Sequence, residues 1–107
     1  MKIGIIINTN KPETVWNAFR FAVTSLKENH ETSIFLLGEG VELEEIKNEN
    51  FNLKEQIDLF IENKGEILAC GTCLESRHKE GSNVCPISTM NDLLKLVEKS
   101  DKILTFG

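Results

Sequence analysis

The segment KIGIIIN, Lys2–Asn8, limits the possible folds more than any other part of the chain. It is short, rich in β-branched residues and continuously apolar. A strand with one face in water alternates apolar and polar positions. A strand covered on both faces reads as an unbroken apolar run, as in a parallel sheet. TSIFLL predicts a second such strand, at Ser33–Leu37, and GEILAC a third, near Glu66–Ala69. DKILTF, Asp101–Phe106, closes the chain as another, and a weak strand is expected around Asn83–Cys85.

Helical patterns fill the gaps. Pro12 and Glu13 suit a first helical turn. Val15, Ala18, Phe19, Ala22, Val23 and Leu26 then recur at spacings of three and four, which is a core-facing stripe. Trp16 and Phe21 fall off it, lapping over its edge or offering a subunit contact. VELEEIKNEN starts a short helix that soon turns polar. Asn52 followed by Glu55 resembles a capping box and opens a helix with Leu53, Ile57, Phe60 and Ile61 inward. Ser88 is a fitting N-cap for a helix that carries Met90, Leu93, Leu94 and Val97 on one face.

Strands alternating with helices imply right-handed crossovers: one domain, a doubly wound α/β fold, with a mainly parallel sheet of about five strands between two helical layers. At 107 residues a core is feasible without disulfides or metal. In such sheets, ligands sit beyond the carboxyl ends of the strands, where the strand order switches. Asn8, Thr9 and Asn10 reach that edge, as do Gly38, Glu39 and Gly40. So does the turn Cys70, Gly71, Thr72 and Cys73.

The net charge of −5, without any basic block, argues against nucleic acid as a partner. No apolar run approaches the roughly 20 residues of a membrane span, and no cleavable leader precedes Ile3, so a cytoplasmic location is expected. Three cysteines cannot form a fully paired disulfide framework. In a reducing compartment their clustering points to metal or to reactivity.

Three chemistries compete for EILACGTCLESRHKEGSNVCP, Glu66–Pro86. Cys70, Cys73, His78 and Cys85 read C-x2-C-x4-H-x6-C, four soft ligands for a tetrahedral zinc, although the last gap is long for a zinc knuckle. Cys70 and Cys73 also form a C-x-x-C dithiol of the kind that exchanges disulfides. Finally, Cys70 ends the strand directly, so its sulfur can serve as a single nucleophile in the crevice. Gly71 then lets another molecule approach, Thr72 caps a short helix through Ser76, and Arg77 and His78 add nearby positive charge. Such a sulfur can take the terminal atom of a persulfide, with Cys73 or Cys85 to resolve it. A small buried residue is the bland alternative, Cys85 above all.

IGIIIN, IFLLGEGVEL, ILACGTCLESR and STMNDLLKLVEKSDKILTF together resemble the DsrE/DsrF-like family, which includes TusD-type sulfur-relay subunits and many uncharacterised archaeal and bacterial proteins. The resemblance implies a small parallel-sheet α/β domain, no cofactor, and a homo-oligomer, either a trimer or a hexamer. It also implies that Cys70 accepts sulfur as a persulfide from a donor protein and hands it to an acceptor; the alternative is a non-catalytic module of the same fold that binds a small ligand at the crevice or simply assembles. Glu39, Gly40 and Val41 match a loop that often lies close to that cysteine. Two features depart from the family pattern. Arg77 is followed by His78-Lys79-Glu80-Gly81 where many relatives have glycine, and Cys73 is absent from the TusD-type turn.

Overall fold

In the computed structural model, which describes all of residues 1–107, five strands form one sheet in the order β4-β3-β2-β1-β5, and every pair is parallel. β1 is Lys2–Ile7, β2 Glu31–Leu36, β3 Glu66–Cys70, β4 Ile87–Ser88 and β5 Lys102–Phe106. The helices are α1 (Pro12–Lys27), α2 (Leu53–Glu62), α3 (Gly71–Ser76) and α4 (Met90–Lys99). A 3-10 segment, Gly38–Glu45, follows β2 and is kinked at Glu42.

The apolar run of β1 is buried as its composition requires: Ile5 and Ile7 are fully covered, beside Ile34 and Leu36 of β2. The α1 stripe closes over the sheet through Val15, Ala18, Phe19, Ala22 and Val23. Phe19 meets Phe60 of α2 edge to face, with ring centroids 5.6 Å apart, a geometry that adds to the area buried. Trp16 stays at the rim, against Phe51 and beneath the Arg20 guanidinium. Phe21 is exposed.

The opposite face is thinner. Glycine at position 4 lets α4 approach β1, because a β-carbon there would meet Leu96 and Ser100. Leu93 and Leu96 pack inward, yet α4 has no fully buried residue. Met90, Leu94 and Val97 are exposed, so the face expected to turn inward points largely outward. Leucine and valine occupy two adjacent stripes of this helix, and the sheet accepts only one of them.

Three further expectations shift. Ile61 is exposed, because the inward arc of α2 ends at Phe60. The extra strand lies at Ile87–Ser88 and not at Asn83–Cys85, since the chain first turns at Ser82, whose amide reaches the Cys85 carbonyl. The cap of α4 is Thr89, not Ser88: Thr89 and Asp92 form the reciprocal capping box, and the Ser88 hydroxyl donates to the same carboxylate. Asn52 does cap α2, accepting from the Glu55 amide. No helix is long and apolar enough to cross a membrane.

Candidate functional site

Chain direction explains why the cysteine turn opens a crevice. The chain leaving β3 continues outward to β4, whereas the chain leaving β4 turns back through α4 to reach β5 on the far side of β1. The two exits diverge, and between them lies an open depression of about 990 Å³. Its lining includes Cys70, Gly71 and Thr72 from the end of β3, His78 from the following loop, and Ser88 and Thr89 from the end of β4. This volume is at the upper end of small-ligand clefts. The sheet edge where sequence reasoning placed chemistry therefore carries a cavity. A smaller groove of about 370 Å³ lies at the other end of α4, lined by charged residues such as Glu31, Glu66 and Lys95, and contains no thiol.

Cys70 is both the last residue of β3 and the N-cap of α3. The cap therefore falls on Cys70 and not on Thr72, because the strand runs into the helix without an intervening turn. Cys70 is only 2% exposed, at the floor of the depression. Burial pushes its thiol up from the ordinary value, and the neighbouring Cys73 side chain adds to the rise. The nearby backbone amides of Cys73 and Thr72 work against it, although the Cys70 side chain makes no capping hydrogen bond.

Cys73, half-buried, sits at the third position of α3 and accepts a 3.3 Å hydrogen bond from the Gly38 amide to its Sγ. Gly38 has a positive φ of 54°, and a β-carbon there would strike the Asn8 side chain. Gly40 leaves room for the Ile7 carbonyl. The Gly38–Gly40 loop thus seats the 3-10 segment against β1 and brings it to Cys73.

Glu42 is not singled out by any sequence pattern, yet it ties this region together. Its carboxylate accepts from Arg77 Nε at 2.8 Å and from Asn10 Nδ2 at 3.2 Å. Those two partners hold the carboxyl below the usual range, Arg77 contributing most. Arg77 also donates to the Cys73 carbonyl at 3.2 Å. Lys79 pairs with Glu45, and the Ser82 hydroxyl donates to Glu44. Glutamates of the 3-10 segment therefore clamp the stretch that follows the cysteine turn. No local pattern encodes such partners, since Arg77 lies 35 residues from Glu42.

The remaining sequence candidates separate by position. Gly71 and Thr72 line the depression. Asn8, Gly38, Glu39 and Gly40 lie on the 3-10 side. Thr9 is buried, and its hydroxyl accepts from the Lys11 amide at the start of α1. Arg77 faces Glu42 and not the crevice. Cys85 is 4% exposed, with its amide bonded to the Ser82 hydroxyl; burial first, then Glu44, push its thiol up to about 12. No three His, Cys, Asp or Glu side chains converge as a metal requires, so Cys70, Cys73, His78 and Cys85 are not assembled into a ligand set.

A profile of the DsrE/DsrF-like family matches residues 1–106. The chain belongs to the DsrE/DsrF-like family. That family is generally related to sulfur relay. Among curated relatives, the uncharacterised protein MJ0989 of Methanocaldococcus jannaschii is 35% identical over 115 residues, spanning 99% of this chain and 100% of its own. The uncharacterised protein MK0008 of Methanopyrus kandleri is also 35% identical, over 101 residues, spanning 88% of this chain and 83% of its own. The crystal structure of the ychN protein from E. coli superposes with a TM-score of 0.83 at 21% identity, covering 99% of this chain and 100% of that one. The doubly wound parallel sheet inferred from the strand pattern, and the DsrE-like form of it that the resemblance implies, are thereby established for this chain.

Proposed function

We propose that the protein takes up sulfane sulfur on Cys70 as a persulfide and passes it to a partner. The observation that carries this proposal is the position of Cys70 at the floor of the switch-point depression, at the start of α3 and with a second thiol in the same turn. In the loading step, the Cys70 thiolate attacks the outer sulfur of a donor R–S–SH. The donor's S–S bond breaks, R–S⁻ leaves with the electron pair, and the terminal sulfur stays on Cys70 with its proton. His78 lines the same depression and is the candidate acceptor for the Cys70 proton.

Intact mass spectrometry tests this directly. A Cys73→Ser chain treated with glutathione persulfide gains one sulfur atom, and adding Cys70→Ala removes the gain. Absence of an adduct on Cys73→Ser, under conditions that load an established carrier, ends the proposal.

The same proposal includes assembly with further copies of the chain. Met90, Leu94 and Val97 form an exposed apolar stripe continuous with Ile87, which lines the depression together with Met90. Such a patch is usual at contacts between subunits. Sedimentation velocity should show an oligomer for the wild type and a monomer for Leu94→Glu. A monomeric wild type would remove assembly from the proposal.

A further inference from the structure

The placement of Cys73 has a chemical consequence for any sulfur held on Cys70. Resting on the loading reading above, we propose that the Cys70–Cys73 pair is a sulfide-releasing dithiol. A persulfide formed on Cys70 is reduced within the chain and leaves as hydrogen sulfide.

The geometry selects which sulfur Cys73 attacks. A persulfide on Cys70 has an inner sulfur, the original Sγ, and an outer sulfur projecting into the depression. Cys73 is the third residue of α3 and lies in the helical turn that Cys70 begins. It does not line the depression, and the Gly38 amide holds its sulfur on the 3-10 side. With Cys73 held on the 3-10 side and the outer sulfur in the depression, the attack of Cys73 is assigned to the inner sulfur. Attack at the outer sulfur would merely shuttle the cargo between cysteines. Attack at the inner sulfur expels it.

The step balances without an added oxidant. Cys73 Sγ bonds to Cys70 Sγ, and the bond from Cys70 Sγ to the outer sulfur breaks. The outer sulfur leaves with the bonding pair and takes up the proton lost by Cys73, giving hydrogen sulfide. Two electrons pass from the dithiol to the sulfane sulfur, and the pair is left as a Cys70–Cys73 disulfide. Hydrogen sulfide is more acidic than an alkyl thiol, so its anion is the better leaving group. Cys85 takes no part, because it lies outside the depression beside Ser82 and Glu44. Repeated turnover requires a dithiol reductant, while a partner thiol entering the depression competes with Cys73 for the outer sulfur.

The experiment uses the full chain, reduced and freed of small thiols, mixed with glutathione persulfide. Sulfide is assayed colorimetrically, and acid-quenched samples are analysed by intact and peptide mass. The expected wild-type result is a burst of one sulfide per chain above the donor's own background. The protein then lacks two hydrogens, mapped to the peptide that contains Cys70 and Cys73. Dithiothreitol converts the burst into continuous release. Cys73→Ser, with Cys73→Ala as a second variant, holds the added sulfur and gives no burst. A wild-type chain that keeps the extra sulfur without releasing sulfide overturns the proposal, as does an equal burst from the Cys73 variants. Failure of the Cys73 variants to load any sulfur, with native circular dichroism retained, instead removes the loading step itself.

Discussion

Cys70 and Cys85 are buried to nearly the same degree, 2% and 4% exposed, and burial is the leading cause that raises both thiols. Their surroundings nevertheless differ in every respect that matters for chemistry. Cys70 begins α3, has a second thiol in the same turn and an open depression in front of it. Cys85 has a single favourable contact, with Ser82, a destabilising carboxylate at Glu44, and no place in the depression. Burial alone therefore does not distinguish the two. A neighbouring sulfur and access from the depression do.

The sharpest way to break this contrast is to exchange the losses. Cys70→Ala should abolish sulfur loading outright, while Cys85→Ala should load normally and lose about 1 kcal/mol of stability in a urea titration, the usual cost of a modest buried substitution. Loading that survives Cys70→Ala, or disappears with Cys85→Ala in a folded protein, would reverse the assignment.

Alkylation ranks the thiols by access. Iodoacetamide at mildly alkaline pH should modify the half-buried Cys73 first and Cys85 only after unfolding, as followed by peptide mass. The thiolate is the nucleophile and Cys70 is raised, so loading should accelerate about tenfold per pH unit through the neutral range, in proportion to the ionised fraction. A rate that is flat from neutral to mildly alkaline pH would mean that Cys70 does not supply the attacking sulfur.

The contrast also reaches stability at alkaline pH. Cys85 loses its proton at about 12 in the folded chain, against an ordinary value of 9.0. Between those values the unfolded chain gives up the proton and the folded chain keeps it. The contribution is therefore complete below about pH 9 and is lost as the pH rises through the folded value. Thermal midpoints should fall across this window, and Cys85→Ala should flatten the decline without removing it, since Cys70 is raised in the same direction.

How much of this was legible in the residues follows physical range. The sheet was readable because both-face burial leaves an unbroken apolar run, as in Ile5–Ile7 and Ile34–Leu36. The α1 stripe was readable because helical period and burial coincide at Val15, Phe19, Ala22 and Val23. Cys70 could be placed at the crevice because it directly follows Ala69 of an apolar strand. β4 could not be read: two residues carry no period, and Ile87 is exposed. The cap at Thr89 was within reach, since Asp92 three positions later completes a capping box, but Ser88 offers the same hydroxyl one residue earlier. The outward turn of Met90, Leu94 and Val97 was hidden by the equal hydrophobicity of the neighbouring stripe, Leu93 and Leu96. Glu42 was invisible because its worth depends on Arg77 and Asn10, which the fold alone brings to it.

Glu42 also provides the smallest test, and one specific to the cysteine pair. Through Arg77 it reaches the Cys73 carbonyl, on the backbone of the residue proposed to resolve the persulfide. It is a positioning residue and touches no reacting atom. Glu42→Ala frees Arg77, so the Cys73 end of the turn should loosen while Cys70, paired with Ser88 of β4, keeps its place. Sulfur loading on Cys70 should then proceed at the wild-type rate, whereas the release of sulfide, which needs Cys73 aligned with the inner sulfur, should slow a few-fold. Glu42→Gln retains an oxygen for Arg77 and should restore part of the release rate. Lowering the pH should reproduce the loss in wild type only in acid, because the Glu42 carboxyl lies below its ordinary range and stays charged until the pH falls through that lowered value. Equal slowing of loading and release in Glu42→Ala would show that Glu42 supports the whole turn and not the Cys73 end in particular.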